Sequence, residues 1–179
     1  GPNLSLVQDG RGVCSVIIPA GADRWTRQAA EWLLAYVHKA TGAELRIVSE
    51  DAAKEGLPAH VASLPASTII SVGHTRLARE AGLDTADLKW DGCKLVVKGN
   101  VLFLIGRDST TEVKGRPFVG ARGTCRAVLV SLEEFCGVRW FIPTPEGEVV
   151  PRRASVSVPR NLAKTVVPAF AFSDGRPAY

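Results

Sequence analysis

Apolar residues along this chain follow two rhythms, one of three to four residues and one of two or fewer. From Arg24 to Ala40 the residues Trp25, Ala29, Trp32, Leu33, Tyr36, Val37 and Ala40 recur at steps of three and four. That spacing draws one stripe down a helix and predicts an amphipathic helix with a buried face. Asp23 stands where a side-chain oxygen can accept the free N–H groups of the first turn. Gly42 stands where a left-handed residue ends a helix. A second stripe, Cys125, Val128, Leu129, Leu132 and Cys136 with Phe135 at its border, predicts a helix over Thr124–Cys136 stopped by Gly137. Thr75–Ala81 predicts a short helix ended by Gly82.

Strands are predicted where the rhythm shortens. Leu4–Gln8 and Val13–Ile18 flank the turn residues Asp9-Gly10-Arg11-Gly12. Leu45–Val48 follows the first helix, and Thr68–Val72 is a β-branched run that suits a buried strand. Lys94–Lys98 and Val101–Ile105 are separated by Gly99-Asn100, a two-residue hairpin signal. Ala154–Val158 alternates small or apolar residues with Ser, as a half-exposed strand does. Strands joined through helices pair in parallel, and the hairpin adds an antiparallel pair. The expected fold is therefore α/β: a two-layer sandwich with a mixed sheet of about six strands and two main helices on one face. Ser49–Ser67 reads as a surface connection with a helical turn near Ala52–Gly56, and Gly106–Gly123 as a long polar loop. Residues 1–160 form the domain, and 161–179 read as a linker toward a further domain.

Composition narrows the class. At 46% hydrophobic and 22% charged residues, the chain can build a core. The longest apolar runs are too short for a membrane span, which takes about 20 residues. The start has no basic segment leading into an apolar one, and the chain has no Met, so it reads as an excised fragment. The net charge of +4 is spread along the sequence. Its one dense patch is Arg116, Arg122 and Arg126 with Lys114, weaker than the stripe of a nucleic-acid binder, so no nucleic-acid partner is expected. Cys14, Cys93, Cys125 and Cys136 include no Cys-x-x-Cys pair. Buried thiols are the simplest reading, with a Cys14–Cys93 disulfide as the alternative.

Candidate chemistry is sparse. His38, His60 and His74 have no metal-ligand spacing, and His38 reads as a structural residue beside the first helix's apolar stripe. No metal or cofactor is expected. Glu133 and Glu134 are neighbours on a helix and diverge by about 100°, so they cannot flank one bond. Glu148 reads as supporting a turn. Asp108, at the end of an apolar strand, is the more interesting acid, although a turn with Ser109 and Thr110 explains it too. No nucleophile elbow or phosphate loop occurs. Gly120-Ala121-Arg122-Gly123 has the form of the backbone-clamping loop of KH domains but lacks the helix before it. Trp25, Trp32 and Trp140 read as packing residues, and Trp90 as the exposed aromatic.

Three segments together resemble a known family. They are Gln28–Leu33 with Thr41–Leu45; Leu102–Asp108; and Gly123–Val128 with Leu132–Phe141, ending at Gly147-Glu148-Val149-Val150-Pro151. From about Val13 to Pro159 the chain resembles the N-terminal domain that precedes the catalytic barrel in α-glucuronidases and β-N-acetylhexosaminidases. It is most similar to the version in large uncharacterised bacterial proteins. The resemblance implies a zincin-like α/β sandwich without a metal and a non-catalytic role beside a downstream (β/α)8 barrel. It also implies a secreted or periplasmic parent that is a glycoside hydrolase. It carries over no catalytic residue. The expected contacts with the barrel, or with a glycan, are Arg107, Asp108, Arg122, Arg139, Trp140 and Trp90, with the Gly106–Gly123 loop reaching outward. Two other readings stand beside this one: an independent carbohydrate-binding module, and a basic nucleic-acid-binding domain.

Overall fold

The computed structural model describes residues 2–50, 68–113 and 116–168, with backbone alone at 111–113 and 116–119. Its main sheet has six strands: β3 (Cys14–Ile18), β4 (Ile47–Ser49), β5 (Thr68–Val72), β6 (Cys93–Lys98), β7 (Val101–Gly106) and β13 (Ala163–Val166). Their order is β13-β6-β7-β5-β3-β4. β4, β3, β5 and β7 are parallel, whereas β6 is antiparallel to β7 and β13 antiparallel to β6. The Gly99-Asn100 turn sets the β6–β7 register with Lys98 opposite Val101, and Gly99 takes the positive φ (59°) that this turn needs.

Alternation along the strands divides the core. Val16 and Ile18 of β3, Ile70 and Val72 of β5, Leu102 and Leu104 of β7, and Leu95 and Val97 of β6 share one cluster. That cluster takes in α1 (Arg24–Thr41) through Ala29, Ala30, Leu33 and Val37. It also takes in α3 (Gly123–Ser131) through Cys125, Ala127 and Val128. Both main helices thus lie on one face, as the periodicity requires. Each fully buried Leu or Ile contributes about 2 kcal/mol of transfer free energy. On the other face Phe103 and Ile105 pack with Ala78 of the short helix α2 (Arg76–Glu80), and Ile17 packs with Ile69.

Four expectations need correction. β1 (Asn3–Gln8) does not join the main sheet. Asp9 and Gly10, both at positive φ (49° and 74°), turn the chain tightly into β2 (Arg11–Gly12), and β1 pairs on its other side with β12 (Val156–Pro159). The polar stretch after Gly106 is an antiparallel ribbon, β8 (Asp108–Val113) with β9 (Arg116–Arg122). The second helix ends in a π-helical turn, Leu132–Cys136, closed by Gly137 at φ 74°. Ala163–Val166, read as linker, is β13 and hydrogen-bonds along β6, and Val97 N also donates to Leu162 O at 2.9 Å. The expected helical turn near Ala52–Gly56 and the rest of the tail, 169–179, lie outside the described residues.

All four cysteines are buried and free, so the Cys14–Cys93 bridge does not form. Burial raises the thiols of Cys14, Cys93 and Cys125 to about 12 and that of Cys136 to about 11, which leaves them inert packing groups. No helix among the described residues is long and apolar enough to cross a membrane.

Candidate functional site

The parallel strands end on one edge of the sheet, and three helices begin there. Such an edge gathers polar backbone ends and is the usual place for chemistry in α/β folds. Asp23 caps α1, its Oδ1 accepting from Thr26 N at 2.7 Å. Thr75 caps α2, its Oγ1 accepting from Ala78 N at 2.9 Å. The third helix has no cap of its own, since Arg122 makes no side-chain capping bond. Asp108 supplies it from β8: Oδ1 accepts from Thr124 N at 3.0 Å and Oδ2 from Thr124 Oγ1 at 2.5 Å.

Two glycines, Gly106 and Gly123, let these backbones close. A Cβ on Gly123 would stand 2.3 Å from Gly92 O and 2.4 Å from Arg107 N, and one on Gly106 would stand 2.0 Å from Gly123 C. The crossing is sealed by Arg107 N donating to Gly92 O at 2.9 Å and Gly123 N donating to Arg107 O at 2.8 Å. The Gly-x-x-Gly sequence 120–123 therefore sits at a strand-to-helix joint, and its last glycine is explained by packing. The KH context of two flanking helices is not met.

His74 lies beside this joint. Its Nε2 is 2.8 Å from Gly106 O and 3.4 Å from Asp108 Oδ2. The hydrogen bond to Asp108 raises its pKa against the opposing effect of burial. Trp25 lies at the rim of the core: the Arg122 guanidinium sits 3.6 Å from its ring centroid, and that of Arg24 4.9 Å. Asp91 holds Arg122 from behind, accepting from its backbone N at 2.7 Å. Arg107 Nη1 donates to Trp90 O at 3.2 Å. Trp90 is exposed, at 39%, and its backbone is left-handed (φ 51°), an outlier for a bulky residue. Asp23, Trp25, Asp108, Ser109, Thr110 and Ala121 line a shallow recess within this group.

A second polar group lies at the far end of α1. Tyr36 is eleven residues beyond Trp25, about 16 Å along the helix axis. Its hydroxyl donates to Glu148 Oε1 and accepts from Trp140 Nε1 at 3.1 Å. Lys39 Nζ donates to Glu148 Oε2 at 2.8 Å. Burial works to raise the Glu148 pKa, but the bonds from Lys39 and Tyr36 outweigh it and hold the carboxyl below its usual range. Tyr36 and Trp140 meet edge to face, with centroids 5.3 Å apart. The clasp fastens a small hairpin, β10 (Arg139–Trp140) with β11 (Glu148–Val149), to the helix. Phe141, Ile142 and Val149 stand exposed on it, Phe141 at 74%.

The six predicted contact residues thus fall into two places. Arg107, Asp108, Arg122 and Trp90 gather at the strand ends; Arg139 and Trp140 lie on the distant hairpin. Arg139 Nη1 is spent on Glu133 O at 2.8 Å and Val138 O at 2.7 Å. His38, expected beside the core, is exposed, with Nδ1 3.4 Å from Ala43 O. Among the described residues, no group of three His, Cys, Asp or Glu is placed to hold a metal. Sequence reasoning missed His74 and the Tyr36–Lys39–Glu148 clasp. The usable signal for His74 was its place two residues after a buried strand.

No family model and no curated protein matches the chain. Its fold is found in a solved structure. The chain is similar to part of a family GH115 4-O-methyl-alpha-glucuronidase with specificity for decorated arabinogalactans, at a TM-score of 0.52 and 17% identity. The likeness covers 89% of this chain but only 18% of that enzyme's. At this identity the likeness concerns the fold. It gives the α-glucuronidase half of the expected resemblance a structural counterpart.

Proposed function

We propose that this chain is a non-catalytic accessory domain of a secreted or periplasmic glycoside hydrolase, packed against a downstream catalytic barrel. The observation that carries the reading is the asymmetry of the likeness: nearly all of this chain corresponds to less than a fifth of a glucuronidase. The chemistry of the strand-end group supports it. Asp108 is committed to Thr124, and Asp23 Oδ1 to Thr26, so neither carboxylate is held ready for proton transfer across a scissile bond. The hairpin at Phe141, Ile142 and Val149 offers an apolar contact to the barrel.

Steady-state assays of the purified chain on a panel of aryl glycosides test the non-catalytic part. The expected outcome is no turnover above buffer. Turnover that disappears in an Asp108→Asn variant would overturn the reading.

A further inference from the structure

We propose that Phe141 anchors a tethered interface: the β10–β11 hairpin seats in an apolar recess of another domain of the same polypeptide, through a contact too weak to hold a partner in trans. The inference deepens the accessory-domain reading and rests on it. Of the five large hydrophobic residues exposed among the described residues, three share this hairpin: Phe141 (74%), Ile142 (54%) and Val149 (48%). Their backbones are fixed before anything binds. Phe141 N donates to Gly147 O at 2.8 Å and Gly147 N to Thr144 O at 3.0 Å, so the loop closes on itself. Gly147 is buried against Ile142, where a Cβ would stand 2.2 Å from the Ile142 side chain. Pro143 and Pro145 restrict φ between them. The Tyr36–Lys39–Glu148 clasp fastens the base of the hairpin to α1. A side chain that is exposed while its backbone is already held loses little freedom on docking, as an interface anchor requires.

The size of the patch decides the occupant. The three residues expose about 350 Å2 together, whereas a stable interface covers about 800 Å2 on each partner. A second copy of this chain, or any free protein, therefore gains too little from the hairpin to stay bound. A tether removes that obstacle. A short linker holds its two ends at an effective concentration of order millimolar, which fills a contact whose dissociation constant is itself millimolar. An anionic lipid surface is opposed by Glu146 and Glu148 in the same loop.

The test compares this chain alone with its parent polypeptide. Alone, the chain should sediment as a monomer at micromolar concentration and remain unbound to neutral and anionic phospholipid vesicles. Phe141→Ser should leave its urea midpoint unchanged, because the side chain it removes lies in solvent. In the parent, Phe141→Ser should speed hydrogen–deuterium exchange about fivefold at the hairpin and at one segment outside residues 1–179, the seat of the hairpin. Phe141→Leu, which keeps an apolar anchor, should restore most of the protection. A dimer or a vesicle-bound form of the isolated chain that depends on Phe141 would overturn the proposal, since the occupant would then be a second copy or a lipid surface. So would a parent in which Phe141→Ser changes no exchange outside this domain. If other surface positions of the domain are still protected in that parent, the accessory-domain reading stands and this interface falls; if none is protected, both fall.

Discussion

At the residue scale, the crossing of Gly92, Gly106 and Gly123 places the tightest demand on side-chain size. A methyl at Gly123 meets only backbone, which cannot rotate away, so Gly123→Ala should cost about 3 kcal/mol or prevent folding. Gly82→Ala, with nothing near its would-be Cβ but φ at 72°, should cost about 1 kcal/mol. Urea unfolding of the two variants gives the contrast. Asp108 and His74 supply a pH-dependent test. The His74 pKa is raised in the fold, so its contribution is complete below the unfolded value of about 6.5 and fades as pH rises through the folded one. An NMR titration should give a His74 midpoint above the ordinary histidine value, and Asp108→Asn should bring it down. A midpoint that does not respond to that substitution would mean that the contact does not form. Sequence spacing pointed to Asp108 through its place after an apolar strand. It could not reveal His74 as its neighbour, because Val72 and Gly106 become adjacent strand ends only when β5 and β7 pair.

At the element scale, periodicity located both main helices and the central strands, since each has a full apolar stripe or run. It failed where elements lack one. β8 is polar up to its last residue, Val113, and β9 contains Pro117 and Gly120, so their pattern is that of a loop. β13 is an edge strand, half exposed throughout, in a segment bounded by Pro159 and Pro168. β1 was recognised as a strand, but nothing local says that its partner is β12, about 150 residues away. The β10–β11 hairpin depends on Glu148. Its carboxyl is held below the usual range, so its contribution is full above the unfolded value of about 4.3 and is lost as pH falls through the folded one. Glu148→Gln keeps the shape and removes the charge that Lys39 meets. It should loosen the hairpin and speed amide exchange at Trp140 and Phe141, leaving β5 and β7 protected. Equal exchange in the variant and the unaltered chain would assign the hairpin's order to the Tyr36–Trp140 contact instead.

At the scale of the whole molecule, the two polar groups stand at opposite ends of α1 and do different things. One joins strand ends to helix starts around a small recess; the other fixes an apolar hairpin on the surface. The fold is shared with part of a much longer glucuronidase chain. The most direct test of the accessory-domain account is hydrogen–deuterium exchange on this chain alone and within its parent polypeptide. The account predicts slower exchange in the parent at the Phe141–Ile142 and Val149 amides or along β8–β9, with little change in the already buried β5 and β7. Identical exchange at every one of these surface positions in both contexts would contradict it.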